Sequence, residues 1–324
     1  MRRVLLRVLA ALALIVVALN WTYGRLPAEP RPTGSFVQVG ELRIRYLERP
    51  GQGTPVVLIH GLPGTAEDFN AVTPLLAGHR TIAIDRPGFG YSSGGYVPFA
   101  RQLDTIDVLL RQLHVARPIL VGHSYGGTIA LGFAERYPGE VRGLVLVDAA
   151  AAGQRLGSLD QAQAHVVQFR QLPVIRQIAN ATFAQLLSTV SVNRVDSEAF
   201  HPQPVPPAQR RRVLEINMTH GNLEAFAGEQ LAANGVVARV DKGLGAIDVP
   251  AVVIQGDADR LVKPTYGRRL ASSLPEARLQ MLPGGHMAPY THPGAVAAAV
   301  QSISESSRPR RAGGAVAQAA IGSS

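Results

Sequence analysis

Apolar and polar residues alternate over Phe36–Val39 and again over Leu42–Tyr46, either side of Gly40 and Glu41. That is the pattern of an antiparallel hairpin with one face buried. The run Pro55-Val-Val-Leu-Ile59 reads differently: it is continuously apolar, as expected of a strand covered on both faces. Similar runs recur at Thr81–Ile84, Pro118–Val121, Leu144–Val147, Val249–Ile254 and Ala277–Leu282. Between them the period turns helical. From Phe99, apolar positions at Leu103, Ile106, Leu109, Leu110 and Leu113 draw a single stripe. Ala66–Leu76, Thr128–Tyr137, Pro264–Leu274 and Pro293–Ile303 are the other expected helices, the last with its proline at the favoured start position. A hairpin followed by strands alternating with helices predicts an α/β domain built on a mostly parallel eight-stranded sheet with helices on both faces.

One stretch breaks the alternation. Residues 151–245 contain no clear buried strand, but carry helical patches such as Ala164–Ile178 and Asn222–Ala233 around a proline cluster, Pro202–Pro207. They read as a helical insertion, placed to act as a cap or lid over a core formed by 35–150 and 246–304. The ends differ again. Val4–Leu19 is apolar except for Arg7, with Arg2 and Arg3 ahead of it and Trp21 and Tyr23 behind. This predicts a transmembrane signal-anchor over residues 1–23, a single-pass membrane protein with its body on the extracytoplasmic side, and the lipid bilayer as a partner. Secretion after signal cleavage is the alternative. Residues 24–34, with three prolines, read as a linker, and 305–324 as a disordered tail.

Composition narrows the chemistry. The 324 residues include no cysteine, which removes disulfides, thiol nucleophiles and thiolate metal sites. Lys and Arg number 32 against 23 acidic residues, for a net charge of +9. Six of those cations are terminal: Arg2, Arg3, Arg7, Arg308, Arg310 and Arg311. The remaining 26 nearly balance the acids, so the body lacks the basic excess that nucleic acid requires. No His-Glu-x-x-His run or nucleotide-binding glycine loop is present, so no metal and no cofactor is expected. Nothing indicates an obligate protein partner.

The segment Val121-Gly-His-Ser-Tyr-Gly-Gly127 joins a buried strand to a helix. Gly122-x-Ser124-x-Gly126 at such a corner is a nucleophile elbow: the turn is so sharp that the positions two before and two after the serine must lack bulk. The helix starting at Tyr125 directs unpaired amides at the hydroxyl. A serine needs a base, and the base needs an orienting carboxylate. Nine histidines compete, with His286, His60 and His123 the leading candidates. Asp259, Asp257 and Asp148 compete for the acid.

The chain resembles the α/β-hydrolase fold family, in particular its serine-nucleophile, lid-containing, esterase- and lipase-like members. The resemblance runs from about Phe36 to Ile303. It rests on His60-Gly-Leu-Pro-Gly64, Asp85-Arg-Pro-Gly-Phe-Gly-Tyr-Ser92, the elbow, Gly256-Asp-Ala-Asp259 and Gly285-His286, in that order. It implies Ser124 as nucleophile, His286 as base and Asp259 as acid, with Asp148 as the alternative acid. It also implies an oxyanion hole from the backbone N–H groups of Leu62 and Tyr125. His60, Gly61, Gly122 and Gly126 support them. The expected activity is hydrolysis of a carboxylic ester, of a small or hydrophobic substrate, through an acyl-enzyme. Carbon–carbon bond hydrolysis, amidase or perhydrolase chemistry on the same fold is the alternative, and a non-catalytic tethered binding protein is the other. Relatives that open epoxides or remove halide carry Asp at the elbow, and Ser124 speaks against both reactions.

Overall fold

The computed structural model describes residues 2–23, 30–157, 162, 164–166, 194–217 and 220–306. Eight strands form one sheet: β1 (Ser35–Val39), β2 (Leu42–Arg49), β3 (Gly53–Ile59), β4 (His79–Ile84), β5 (Ile119–His123), β6 (Gly143–Val147), β7 (Ala251–Gly256) and β8 (Ala277–Leu282). Their order is β1-β2-β4-β3-β5-β6-β7-β8. β1 and β2 pair antiparallel, as do β2 and β4; every later pairing is parallel. The sequence pattern has its cause here. The hairpin strands lie at one edge and alternate, whereas β5 and β6 lie mid-sheet and are buried at every position.

Successive side chains of the central strands feed two separate cores. Val57, Ile59, Leu120, Leu144 and Leu146 join one, packed by Leu103 and Ile106 of α2 (Phe99–Gln112) and by Ile129 and Phe133 of α3 (Tyr125–Arg136). Val56, Leu58, Val121, Val145 and Val147 join the other, on the opposite face, packed by Val296, Val300 and Ile303 near the C-terminus. Each such side chain contributes roughly 1.5–3 kcal/mol when fully buried. A polar substitution at Val121 or Val145 is therefore expected to disrupt the sheet that carries Ser124.

Three expectations change in detail. Ala66–Leu76 is not one helix but two 3₁₀ turns, Ala66–Phe69 and Thr73–Leu75, because Pro74 cannot continue a preceding helix. The elbow helix starts at Tyr125 rather than Thr128, directly after the serine. The patch at Asn222–Ala233 belongs to a longer helix, His220–Val240. Most of the Ala164–Ile178 patch lies outside the described residues, as do 24–29 of the linker and 307–324 of the tail.

The N-terminal expectation is corrected. Arg2–Tyr23 is helical (α1), but among the described residues no helix is long and apolar enough to cross a membrane. The physical reason is charge. Arg2, Arg3 and Arg7 occupy the first two turns, leaving Val8–Leu19 as the charge-free apolar stretch. At 1.5 Å per residue it spans about 18 Å, against a hydrocarbon core of about 30 Å. The transmembrane signal-anchor, the single-pass membrane placement and the bilayer partner fall with it. Extracytoplasmic placement by an anchor falls as well.

Candidate active site

β5 delivers the chain into the elbow at full burial, and α3 begins one residue after Ser124. Ser124 has φ 53° and ψ −122°, a combination L-residues rarely adopt and one that costs on the order of 1–3 kcal/mol. Its neighbours hold it there: its N–H donates to Val147 O (2.9 Å), and its carbonyl accepts from Gly127 N (2.9 Å) and Ala150 N (3.0 Å). The flanking glycines are steric requirements. A Cβ on Gly122 would stand 2.5 Å from the Gly126 carbonyl oxygen, and one on Gly126 would collide with the Ile59 carbonyl.

His286 and Asp259 come from the loops that follow β8 and β7, adjacent parallel strands whose ends lie side by side. His286 Nδ1 donates to Asp259 Oδ2 at 2.8 Å, and both side chains are buried. The other carboxylate oxygen accepts from the amides of Leu261 (2.8 Å) and Val262 (2.9 Å), which aims the group. Burial alone raises a carboxyl pKa, but the charge and hydrogen bond of His286 outweigh it and hold Asp259 below its ordinary value. Burial alone lowers a histidine pKa, but the Asp259 charge and hydrogen bond, aided by Asp148, leave His286 raised. An imidazole paired through Nδ1 keeps Nε2 for proton transfer.

The rival acids are occupied otherwise. Asp257 Oδ1 accepts from Gly284 N at 2.9 Å, closing a turn between the two loops. Asp148 is fully buried at the end of β6; its Oδ1 accepts from Gly256 N (2.8 Å) and its Oδ2 from Ala288 N (3.4 Å). Burial, with the Asp259 charge nearby, pushes its pKa up to about 8. Of the rival histidines, His123 is buried and donates through Nε2 to the His286 carbonyl at 2.8 Å, with the two rings 4.9 Å apart. Among the described residues, His123, Asp148 and His286 form the group of side chains close enough to share an ion. Its His123 Nε2 and both Asp148 oxygens are already engaged with backbone groups.

On the other side of Ser124 the groups are backbone. Tyr125 is the first residue of α3, so no carbonyl one turn back in the helix receives its N–H. Gly61 lies against the serine: a Cβ there would stand 3.0 Å from the Ser124 Cβ. This close approach brings the Gly61–Leu62 peptide to the elbow. His60 is fully buried beneath it, and burial drives its pKa well down, so the ring is neutral. Its Nε2 accepts from Arg86 N at 3.0 Å; the proton therefore sits on Nδ1, which donates to Gly61 O at 2.9 Å.

Sequence reasoning missed the buried polar groups around this peptide. Arg86 lies within the Asp85–Ser92 motif, which signalled a family but not a role. Glu229 and Gln102 sit on helices with no local pattern to mark them. The Asp85 side chain turns the other way, accepting from Arg45 Nη1 (3.0 Å), Ala66 N (2.7 Å) and Tyr91 N (2.9 Å).

Comparison with known proteins agrees with this architecture. The chain is 26% identical over 239 residues to Lipase 1 of Psychrobacter immobilis, covering 71% of this chain and 70% of that protein. It is 26% identical over 282 residues to 2-hydroxy-6-oxo-6-phenylhexa-2,4-dienoate hydrolase of Burkholderia cepacia, covering 80% and 92%. The crystal structure of an alpha/beta hydrolase fold protein from Burkholderia ambifaria superposes with a TM-score of 0.70 at 22% identity, covering 86% of this chain and all of that one. The sequence model of the alpha/beta hydrolase fold matches residues 54–293, from β3 to the start of the last helix. The chain belongs to the α/β-hydrolase fold family.

Proposed function

We propose that the chain hydrolyses carboxylic esters, with Ser124 as nucleophile, His286 as base and Asp259 as orienting acid. The observation that carries this is the 2.8 Å His286–Asp259 bond on loops beside a positive-φ serine. Ser124 Oγ attacks the ester carbonyl while His286 Nε2 takes its proton. The carbonyl π pair moves onto oxygen, and the N–H groups of Leu62 and Tyr125 hold that oxyanion, each contributing on the order of 3 kcal/mol. The tetrahedral intermediate collapses; the C–O bond to the leaving alkoxide breaks, and His286 gives that alkoxide its proton. Water, deprotonated by the same imidazole, then attacks the acyl-enzyme and releases the acid and Ser124. The described part of the insertion touches this site, Ala199 O accepting from His286 N at 2.9 Å, and on this reading it sets the substrate by shape. Lipase 1, a relative, is named for ester chemistry, which supports the choice.

A panel of p-nitrophenyl esters of rising acyl length tests the reading, beside labelling by a fluorophosphonate probe. Hydrolysis and labelling that vanish in Ser124→Ala are expected. Folded wild-type protein that neither labels nor turns over any ester would overturn it and favour the binding-protein alternative. The Burkholderia cepacia relative is named for hydrolysis of a dienoate, which favours a second reading, carbon–carbon cleavage of a vinylogous diketone by the same serine. Turnover of such a diketone at rates above every ester would select it.

A further inference from the structure

The N–H of Leu62 and the C=O of Gly61 belong to one peptide unit, and that unit is trans. A trans peptide is planar, so its N–H points opposite to its C=O. Whatever fixes the Gly61 oxygen therefore aims the Leu62 N–H. Two donors fix it: His60 Nδ1 at 2.9 Å, and the guanidinium of Arg86, whose Nη2 donates at 2.8 Å. Arg86 Nε also donates to the His60 carbonyl at 3.1 Å, so one planar side chain grips two successive carbonyls of the loop. A cation on the carbonyl end of an amide polarises it and makes the N–H at the other end a better donor.

The grip is itself held from a distance. Arg86 is fully buried, and Glu229 on the helix His220–Val240 is 2% exposed. The two are joined fork to fork, with Nη1–Oε1 at 2.5 Å and Nη2–Oε2 at 2.9 Å. Gln102 of α2 completes the cluster: its Nε2 donates to Glu229 Oε1 (2.6 Å), and its Oε1 accepts from Arg86 Nη1 (3.1 Å). The guanidinium also lies 4.4 Å from the Phe89 ring centroid and 5.4 Å from that of Tyr125. A bidentate pair has one good geometry, so Glu229 sets the plane of the guanidinium. Turning the Gly61–Leu62 peptide would strip the buried Arg86 guanidinium of an acceptor and leave a charged donor unmet.

Resting on the ester-hydrolase reading above, we infer that Arg86 is a positioning residue for the oxyanion hole, clamped by Glu229 and Gln102, so that the seating of helix His220–Val240 governs the aim of the Leu62 N–H. The arrangement acts on transition-state charge rather than on substrate affinity, because the Gly61 carbonyl faces away from the oxyanion and the Leu62 N–H faces toward it.

The test is the double variant Arg86→Met with Glu229→Leu. Replacing a buried ion pair by apolar groups of similar size commonly leaves a fold intact, and a thermal melt checks this. The expected result is a fall in kcat of about 10- to 100-fold with KM within threefold, since a lost oxyanion donor costs about 10²–10³-fold and here the donor is only misaimed. An arylboronic acid, which forms a tetrahedral oxyanion adduct on serine, should bind weaker by the same factor. The acid-limb midpoint of kcat/KM should stay where it is, because the imidazole side is untouched; a general loosening of the site would move it. Wild-type kcat and boronate affinity in the folded double variant would overturn the inference. If the double variant does not fold, Glu229→Gln, a near-isostere that disturbs the fork, should lower kcat and boronate affinity together by at least threefold; values within twofold of wild type would equally overturn it. Wild-type protein that hydrolyses no ester would defeat the underlying reading instead.

Discussion

The two sides of Ser124 are built by different means. On the imidazole side, the proposed functional groups are side chains, His286 and Asp259, that follow adjacent strands and touch each other directly. On the oxyanion side, the proposed functional groups are amides, and buried side chains from elsewhere in the chain hold their loop: Arg86 after β4, Gln102 on α2 and Glu229 within the insertion. The first side rides on loops of adjacent strands, with one tie to the insertion, His286 N donating to Ala199 O at 2.9 Å. The second depends on how a helix outside the sheet packs on it. A parallel sheet delivers successive loops to one edge, where side chains can meet directly. An amide has no side chain of its own to aim it, so its direction comes from whatever holds its carbonyl partner.

The largest effect separates the nucleophile from everything that serves it. Ser124→Ala should lower kcat on the order of 10⁶-fold, as loss of a nucleophile does elsewhere, measured by steady-state ester hydrolysis. Ser124→Gly should be equally inactive, yet more stable by about 1–3 kcal/mol in a urea melt, because glycine accepts the elbow dihedrals without strain. A glycine variant less stable than wild type would remove strain from the account of the elbow.

Asp259→Asn should cost about 10⁴-fold in kcat by presenting the wrong tautomer to Ser124. Asp148→Asn should cost less than tenfold, because the imidazole nitrogen bonds Asp259 and Asp148 serves backbone amides. Reversed magnitudes would make Asp148 the orienting acid.

The pH profile reads the imidazole side alone. His286 must be neutral to accept the serine proton, and its pKa lies above the ordinary value of 6.5. kcat/KM should therefore fall tenfold per pH unit on the acid side, with a midpoint above 6.5. Asp259→Asn removes the charge that raises His286, so in that variant the midpoint should drop.

A separate effect is on the pH dependence of stability rather than on rate. Folding moves the Asp148 pKa from an ordinary 3.8 up to about 8, so the folded state keeps a proton that the unfolded chain releases. The stability from that difference is complete below pH about 4 and is lost as pH rises through 8. Asp148→Asn should flatten the slope, becoming more stable relative to wild type as pH climbs from 4 to 8 in denaturant titrations. A difference independent of pH would mean that Asp148 titrates alike in both states.

The candidates on the imidazole side were legible because each stands at a pattern break: a glycine-flanked serine between strand and helix, and an Asp and a His just after buried strands. The helix over 66–76 was not, because Pro74 splits a run whose apolar spacing looks continuous. The N-terminal apolar run misled because Arg7 was read as an interruption within a span, whereas it leaves only Val8–Leu19 free of charge. Glu229 was invisible for another reason: one acid on a helix looks the same whether solvent or a guanidinium faces it.

By itself the sequence determined the fold class, the order of the strands along the chain and the candidates for the reactive side chains, because burial on both faces and sharp turns leave local marks in composition. Tertiary structure alone decided which of three aspartates meets His286, which nitrogen of His60 carries the proton, and that Arg86 joins the Gly61 carbonyl to a helix 143 residues away. Those outcomes depend on distances across the sheet and between chain segments, and no spacing along the chain encodes them.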